Sequence, residues 1–171
     1  GSSREYGRKH ATKDDWRLYR WLYAHLTETV DAEIGVILKA LKESGVEDNT
    51  LVIFTSDHGD MDAAHQLSAK IFLYQEAVKI PFIMAQKGAI AAGQIDNEHL
   101  VSNGLDLLPT LCDYAGIETP EGLAGRSLRP LAEGRKPADW RTEVFAECEN
   151  GRMVRTARFK YCVYDKGDRR E

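Results

Sequence analysis

The chain of 171 residues is long enough for one substantial hydrophobic core with a small appendage. Its contents of 43% hydrophobic and 29% charged residues are those of an ordinary globular protein. A formal net charge of −4 gives no electrostatic footprint for nucleic acid, and no segment is long and apolar enough to span a membrane. We therefore expect neither nucleic acid nor a membrane as a partner.

The amino-terminal stretch and the cysteines leave the cellular compartment open. Gly1–Tyr6 is polar and has no secretory signal, and its Gly-Ser-Ser start is typical of an expression scar. An export signal upstream would make the protein periplasmic or secreted, and otherwise it would be cytoplasmic. Cys112, Cys148 and Cys162 are widely spaced and form no C-x-x-C motif, so we predict free thiols in or near the core.

A long amphipathic helix is the first predicted element. Thr12 and Asp15 have the spacing of a capping box, and Gly45 after Ser44 is typical of a helix end. Apolar residues recur at spacings of three and four and so predict one apolar stripe along the helix: Trp16, Tyr19, Tyr23, Leu26, Val30, Ile34, Ile37 and Leu41.

A continuous apolar run, Leu51–Thr55, predicts a strand that is buried on both faces. It leads directly into Asp57, His58 and Gly59. In open α/β sheets, ligands bind beyond the carboxyl ends of the strands, and a glycine allows the backbone to turn sharply there. A carboxylate beside an imidazole at that position indicates half of a metal site. Asp60 is expected to brace the loop and not to bind metal.

Short elements separated by loops are predicted for the rest of the chain. In order they are a loop over the strand ends at 61–70, a short helix at 71–78, a second strand at 80–85, a short strand at 98–101, a helix from an Asp106 N-cap to Gly116, a connecting loop at 117–134, and three strands at 143–147, 152–156 and 159–164. The tight spacing of the last three strands predicts an antiparallel meander.

Several motifs occur in an order that is characteristic of one family. The stretch Asp48–Met61 is followed by His65, Lys70, Tyr74, Glu76-Ala77 and Ile80-Pro81, and then by Leu105–Leu111, Leu123–Leu131, Met153–Thr156 and Phe159–Tyr161. Together they resemble the carboxyl-terminal half of a sulfatase, within the alkaline-phosphatase-like superfamily. The resemblance implies an α/β fold, the carboxyl-terminal part of an alkaline-phosphatase-like sandwich with a small antiparallel β-sheet appendage. It divides the chain into part of the α/β core at 1–134 and an incomplete antiparallel subdomain at 135–171.

The same resemblance assigns roles to four residues. Asp57 and His58 would bind the family's divalent cation, and Ca²⁺ is favoured. Carboxylate oxygen suits this hard cation, whereas imidazole is more typical of zinc, copper or iron, so the metal identity stays open. Lys70 would contact the sulfate ester and stabilise charge as the S–O bond breaks. His65 would contact the sulfate or give a proton to the leaving alcohol.

The chain also departs from the family pattern. Ala69 stands where glycine is common, Ile71 where many members have glycine, and Lys79 where arginine is frequent. The family's nucleophile is a formylglycine made from a C/S-x-P-x-R motif, which this sequence lacks. We therefore expect the formylglycine to lie in an amino-terminal half outside this chain. The chain is then a fragment of a sulfuric ester hydrolase for a sulfated small molecule or sugar, and is inactive alone.

Two other readings stay open at this point. The parent could hydrolyse phosphomonoesters, phosphodiesters or phosphonates, because phosphate and sulfate are both tetrahedral. Alternatively, the chain could be a non-catalytic binding or structural module. Exposed apolar faces left by an incomplete core would favour self-association or pairing with the missing half.

Overall fold

A computed structural model describes residues 10–167 and 169–170, so the predicted polar start at Gly1–Tyr6 lies outside the described residues. The helices are α1 (Lys13–Ser44), α2 (Gln75–Val78), α3 (Asn103–Ala115) and α4 (Arg129–Ala132). The strands are β1 (Val52–Thr55), β2 (Phe82–Ala85), β3 (Glu143–Cys148), β4 (Gly151–Thr156), β5 (Lys160–Tyr164) and β6 (Arg169–Arg170). Among the described helices, none has the length and apolar character needed to cross a membrane.

Helix α1 has the predicted ends. The Thr12 side chain accepts a hydrogen bond from the Asp15 amide, and the Asp15 carboxylate accepts one from the Thr12 amide, which completes the capping box. Gly45 ends the helix in the left-handed conformation, at φ 74°. No residue of α1 is buried, and Leu26 and Ile37 are 63% and 66% exposed. The predicted apolar stripe is therefore an uncovered face.

Strands β1 and β2 form an antiparallel pair that runs from Val52 opposite Ala85 to Thr55 opposite Phe82. Both strands lie where the apolar runs predicted them. Burial of the first strand on both faces was predicted wrongly, since Phe54 is 40% exposed. Two paired strands and the helices described beside them leave part of the sheet surface uncovered.

Two predictions for the middle of the chain need correction. The short helix begins only at Gln75, four residues later than predicted. The segment 98–101 is not a strand: residues 98–99 form a bend, because the Asp96 carboxylate accepts hydrogen bonds from the backbone N–H groups of Glu98 and His99 at 2.9 and 3.0 Å. These bonds close an Asx turn, which competes with an extended conformation.

Helix α3 begins at Asn103, so Asp106 is not its N-cap as predicted. Asp106 instead lies in the first turns with no exposed surface. Its carboxylate accepts hydrogen bonds from the Ser102 amide at 2.8 Å, the Arg126 amide at 2.9 Å and both terminal nitrogens of Arg141 at 2.8 and 2.5 Å. A buried carboxylate needs such partners, and they come from three separate parts of the chain.

Pro109 lies inside α3 and cannot donate a hydrogen bond to the carbonyl of Leu105. Gly125 packs directly against that carbonyl: a Cβ at Gly125 would lie 1.8 Å from the Leu105 oxygen. Glycine is therefore required at this position so that the segment before α4 can pass close to α3.

The carboxyl-terminal strands form the predicted antiparallel meander, in the order β3-β4-β5-β6. The two-residue strand β6 was not predicted. Met153, Cys162 and Tyr164 on one face of this sheet pack against Leu73, and the Tyr164 hydroxyl accepts a hydrogen bond from the Leu73 amide at 3.0 Å. The sheet thereby anchors the segment that follows the predicted site loop. As predicted, the three cysteines are free thiols; Cys112 and Cys162 are buried and Cys148 is partly buried.

Candidate active site

Asp57 and His58 come directly after β1, and their side chains face each other. Asp57 Oδ2 lies 3.0 Å from His58 Nε2, and Asp57 Oδ1 accepts a hydrogen bond from the His58 amide at 2.9 Å. The Asp57 side chain is 79% exposed, and that of His58 is 37% exposed. The amide hydrogen bond holds the pKa of Asp57 below its ordinary value, so the carboxylate is charged at neutral pH.

The hydrogen bonds of His58 indicate which ring nitrogen carries the proton. Nδ1 lies 2.8 Å from the Gly59 carbonyl oxygen, which only accepts, so we assign the proton to Nδ1. Nε2 then presents a lone pair toward Asp57 Oδ2. The Lys70 ammonium makes a close contact with the same Nε2.

This arrangement fits a cation. In the assigned tautomer, Nε2 and Asp57 Oδ2 are two acceptor atoms 3.0 Å apart, and the Lys70 ammonium supplies positive charge beside them. A histidine that donates its other ring N–H to a backbone carbonyl is also the usual support of a metal ligand. Across the part of the chain that the structure describes, no group of three or more His, Cys, Asp or Glu side chains converges on one point. Asp57 and His58 thus contribute a pair of donors.

Hydrogen bonds from neighbouring and distant residues hold the backbone around this pair in place. The Ser56 hydroxyl donates to the His58 carbonyl at 2.6 Å, and Asn103 Nδ2 donates to the carbonyls of Ser56 and Asp57 at 2.8 and 3.2 Å. The Gly59 amide donates to the Ala77 carbonyl at 2.8 Å. A Cβ at Gly59 would lie 1.9 Å from the Glu76 carbonyl oxygen, so only glycine allows this approach.

Asp60 braces the loop against α1, in keeping with the role expected for it. Its Oδ1 accepts hydrogen bonds from the Tyr19 hydroxyl at 3.0 Å and from the Asp62 amide at 2.8 Å. Burial, together with the bond to Asp60, raises the pKa of Tyr19 to about 12. Asp62 also forms an ion pair with Arg20, from Oδ2 to Nε at 3.4 Å.

The contacts of His65 are with a different set of residues. Its ring stacks on Tyr74 with a centroid separation of 4.3 Å and an interplanar angle of 17°. It lines a cavity of about 500 Å³ together with Tyr164 and Arg169 of the small sheet. The structure thus brings Asp57, His58 and Lys70 into contact and directs His65 into a neighbouring cavity.

The loop that carries His65 and Lys70 has unusual backbone geometry. Five non-glycine residues in it adopt positive φ, namely Asp62, Ala63, His65, Gln66 and Ala69. Such residues are uncommon, and they persist where the surrounding structure holds them. Ala69 has φ 63°, and its carbonyl accepts a hydrogen bond from the Met61 amide at 2.9 Å. The left-handed conformation explains physically why glycine would suit this position.

Sequence reasoning did not identify Ser56 and Asn103 as supports of the site. Asn103 is 46 residues from Asp57, and nothing in its local pattern points to the metal pair. Ser56 directly precedes the pair, so its position in the sequence could have indicated a supporting role. Arg169 was also missed, because the short strand that carries it has no recognisable pattern.

Comparisons with known proteins identify the family of the chain. The sulfatase family model matches residues 3–117. A Δ4,5-hexuronate-2-O-sulfatase from Bacteroides thetaiotaomicron is 36% identical over 95% of this chain and 36% of its own length. A structure described as a 2-O GAG sulfatase superposes with a TM-score of 0.86 and is 37% identical, covering 95% of this chain and 37% of its own.

A third similar protein is named for a different activity. The phosphonate monoester hydrolase of Agrobacterium radiobacter superposes with a TM-score of 0.81 at 30% identity, over 90% of this chain and 34% of its own. The chain spans between 34% and 37% of the length of these three proteins. Its fold is that of alkaline-phosphatase-like sulfatases. Because the family model matches more than half of its residues, the chain belongs to the sulfatase family.

Proposed function

We propose that this chain is the carboxyl-terminal portion of a longer enzyme that hydrolyses sulfate esters. The observation that carries the proposal is the contact among Asp57, His58 and Lys70 at the end of β1. Two acceptor atoms that could bind a metal ion and one ammonium group that could bind an anionic ester meet there on a partly exposed surface.

Asp57 and His58 would hold a divalent cation through Oδ2 and Nε2. Ca²⁺ suits the carboxylate and remains our preferred ion, although the imidazole would also suit a transition metal. When bound, such a cation supplies Lewis-acid stabilisation of negative charge on the ester oxygens. With its proton on Nδ1 beside the Gly59 carbonyl, His58 would present Nε2 to the cation, and the Ser56 and Asn103 contacts hold the backbone of the two ligands in place.

Lys70 would stabilise negative charge that develops on the sulfate oxygens, since its ammonium lies at the edge of the metal pair. His65 would contact the leaving alcohol or give it a proton, which agrees with its position on a cavity wall. The nucleophile, a formylglycine, would come from residues outside this chain. We infer that the substrate is a sulfated sugar, in line with the hexuronate sulfatase among the similar proteins.

The test is turnover of 4-nitrophenyl sulfate by the longer protein. We expect Lys70→Ala to lower kcat/KM by about 10²-fold or more, as is usual for a group that stabilises the transition state. Asp57→Asn should raise the concentration of Ca²⁺ needed for half-maximal activity. Lys79→Ala, an exposed lysine outside the site, is the matched control and should change kcat/KM by less than about twofold. Equal losses for Lys70 and Lys79 would reject the assigned role of Lys70.

The 171-residue chain alone should show no turnover, because the proposed nucleophile is not among its residues. Measurable release of 4-nitrophenol by the purified chain, which the Lys70→Ala substitution removes, would contradict this expectation.

Phosphonate ester hydrolysis is the second candidate, and the similarity to the phosphonate monoester hydrolase favours it. The two activities are separated by comparing 4-nitrophenyl sulfate with the 4-nitrophenyl monoester of phenylphosphonate. Sulfatase activity is supported if kcat/KM is higher for the sulfate. A higher value for the phosphonate would instead assign the protein to the second activity.

A further inference from the structure

The segment 60–70, which we call the site loop, joins the metal pair to Lys70. It starts two residues after His58 and ends on Lys70, whose ammonium contacts His58 Nε2. Lys70 is exposed, and a lysine ammonium lies at the end of a flexible four-carbon chain. The position of the ammonium therefore depends on where the loop backbone places residue 70.

The site loop needs contacts with its surroundings to keep its shape. Its five non-glycine residues with positive φ adopt a conformation that persists only where the surrounding structure holds it. The two ends of the loop are joined by the hydrogen bond from the Met61 amide to the Ala69 carbonyl, at 2.9 Å. Met61 is 1% exposed and packs with Leu67 and Ala77. Because the two ends lie together, one side chain from another element can contact both.

Tyr19 of α1 makes this contact. Its hydroxyl donates to Asp60 Oδ1 at 3.0 Å, and the same carboxylate oxygen accepts a hydrogen bond from the Asp62 amide at 2.8 Å. Burial and the bond to Asp60 raise the pKa of Tyr19 to about 12, whereas a weaker hydrogen bond from the Ala69 backbone lowers it. The hydroxyl thus keeps its proton at neutral pH. It contacts the residue two positions after His58 and the residue that directly precedes Lys70.

The Tyr19 ring is held in its own place on α1. Trp16 packs edge to face against it, with a centroid separation of 6.1 Å and an interplanar angle of 73°. The ion pair of Arg20 with Asp62 also joins α1 to the site loop, but it is 3.4 Å long and the arginine side chain is 67% exposed. Such an exposed pair contributes little. Of these two contacts, the hydroxyl of Tyr19 is therefore the stronger one.

From these observations we propose that Tyr19 is a positioning residue for the ester-cleaving site: its hydroxyl holds both ends of the site loop and so places Lys70 beside Asp57 and His58. The inference rests on the role proposed for Lys70 and adds to it a residue of α1 that lies 51 positions earlier in the chain. It predicts that loss of one hydroxyl oxygen acts on the reaction only through Lys70.

The first test is Tyr19→Phe in the longer protein, which removes the hydroxyl and keeps the ring. We expect kcat/KM for 4-nitrophenyl sulfate to fall about tenfold or more, mainly through kcat, because a small displacement of a group that acts in the transition state is costly. Tyr23→Phe is the matched control. It makes the same chemical change one turn further along α1, where Tyr23 is 42% exposed, and should change kcat/KM by less than about twofold.

A double-mutant cycle separates positioning of Lys70 from a general structural role. In a Lys70→Ala background, Tyr19→Phe should change kcat/KM by less than about twofold, because the group that it positions is already absent. A merely structural role of Tyr19 would lower kcat/KM by the same factor in both backgrounds. Equal factors, or no effect of Tyr19→Phe in the wild-type background, would overturn the proposal.

Hydrogen–deuterium exchange followed by mass spectrometry gives a second measurement that needs no turnover. Tyr19→Phe should make exchange in peptides from the site loop about fivefold or more faster, since loss of the contact lets the loop open. Peptides from α3 should exchange as in the wild type, and Tyr23→Phe should leave both regions unchanged. Unchanged exchange in the site loop of Tyr19→Phe would also overturn the proposal.

The two measurements separate the failure of this inference from the failure of the proposed function. If sulfate esters are cleaved and Tyr19→Phe alters neither turnover nor exchange, only the role of Tyr19 is wrong. If the phosphonate ester is cleaved in place of the sulfate, the cycle with Lys70→Ala is measured on that ester and decides in the same way. If neither ester is cleaved, the proposed function is wrong, and loop exchange alone supports or overturns the role of Tyr19.

Discussion

Ala69 shows how one residue connects backbone strain to the site, because it immediately precedes Lys70. Its left-handed conformation, at φ 63°, is the one that glycine adopts without a steric penalty. The hydrogen bond from the Met61 amide to its carbonyl holds the conformation, since Met61 is 1% exposed and well packed. The strain is thus balanced by packing on the other side of the loop.

Replacement of Ala69 by glycine should stabilise the protein. Removal of the Cβ lowers the free energy of the folded state by about 1–2 kcal/mol. The greater conformational freedom of glycine also stabilises the unfolded chain and offsets part of this effect. We therefore expect the free energy of unfolding to rise by about 0.5–1 kcal/mol. Urea unfolding followed by circular dichroism measures the change. Ala64→Gly in the same loop is the control: Ala64 has no positive φ, and this substitution should destabilise the protein. A loss of stability in Ala69→Gly would show that the methyl group contributes more by packing than it costs in strain.

At the scale of the elements, Asp106 joins α3 to the segment before α4 and to the segment before β3. It is fully buried, and Arg141 is 12% exposed by side chain. The pair therefore lies where an unpartnered charge is costly.

Substitution of Asp106 by alanine should lower the free energy of unfolding by about 3–5 kcal/mol, because Arg141 is left buried without its partner. The exposed ion pair of Asp139 with Arg126, at 3.6 Å, provides the control. Asp139→Ala should cost less than about 1 kcal/mol, since such surface pairs contribute little. Denaturant midpoints of both variants measure the difference. Equal losses of unfolding free energy in the two variants would mean that water can solvate Arg141 when Asp106 is absent.

A second contact between elements should make stability depend on pH. Asp113 of α3 accepts hydrogen bonds from Ser127 Oγ at 2.6 Å and from Arg129 Nη1 at 3.1 Å. Partial burial alone would raise the pKa of Asp113, but these bonds outweigh it and hold the pKa below its ordinary value.

Because the folded pKa of Asp113 is the lower one, its stabilising effect is complete above its unfolded pKa of about 3.9 and disappears as the pH falls through the folded pKa. Asp113→Asn should therefore be less stable than the wild type at pH 7 and approach it near pH 2. Thermal or urea unfolding across this range tests the convergence. A difference that stays constant with pH would attribute the effect of the substitution to lost packing.

At the scale of the whole molecule, the largest feature is the uncovered apolar face of α1, β1 and β2. Its exposed side chains include Leu26, Ile37, Phe54 and Ile83, at 63%, 66%, 40% and 57%. Large apolar side chains exposed in this number normally pack against another element or another protein. Since similar proteins are about three times as long, the corresponding surface there has more chain available to cover it.

The purified 171-residue chain should self-associate through this face. Sedimentation velocity should show oligomers whose population falls when Leu26→Gln and Ile37→Gln are introduced together, because burial of these side chains drives association. Arg17→Gln with Glu28→Gln changes the same helix at two exposed polar positions and should leave the distribution unchanged. A wild-type chain that sediments as a single monomeric species would contradict the expectation.

The sequence predicted local structure well and long-range contacts poorly. Helix α1, the positions of β1 and β2 and the meander follow from periodicity and capping residues within a few neighbours. Asp106 was misassigned as an N-cap because its true partner, Arg141, lies 35 residues away. The short strand at 98–101 was predicted wrongly because the side-chain bonds of Asp96 compete with extended backbone.

The candidate site shows the same division. The neighbours Asp57 and His58 were found from their position after a strand, and the family resemblance selected Lys70 and His65. Contact between Lys70 and His58 depends on how a strained loop folds back, which the spacing of residues does not determine. Assignments of catalytic and metal-binding roles to these four residues remain predictions.

The guanidinium groups of Arg126 and Arg141 lie over the Trp140 ring, at 5.8 and 5.5 Å from its centroid, and the indole N–H donates to the Leu100 carbonyl at 2.8 Å. Of the three tryptophans in the chain, Trp21 is 62% exposed and lies on α1. With Trp16 and Trp21 replaced by phenylalanine, the fluorescence of Trp140 would report only on the junction between α3 and the segment that leads into β3. A change in its emission at lower denaturant than the change in helical circular dichroism would reveal separation of the sheet before the helices melt. The fluorescence of Trp140 can thus reveal whether the carboxyl-terminal sheet and the helices unfold together.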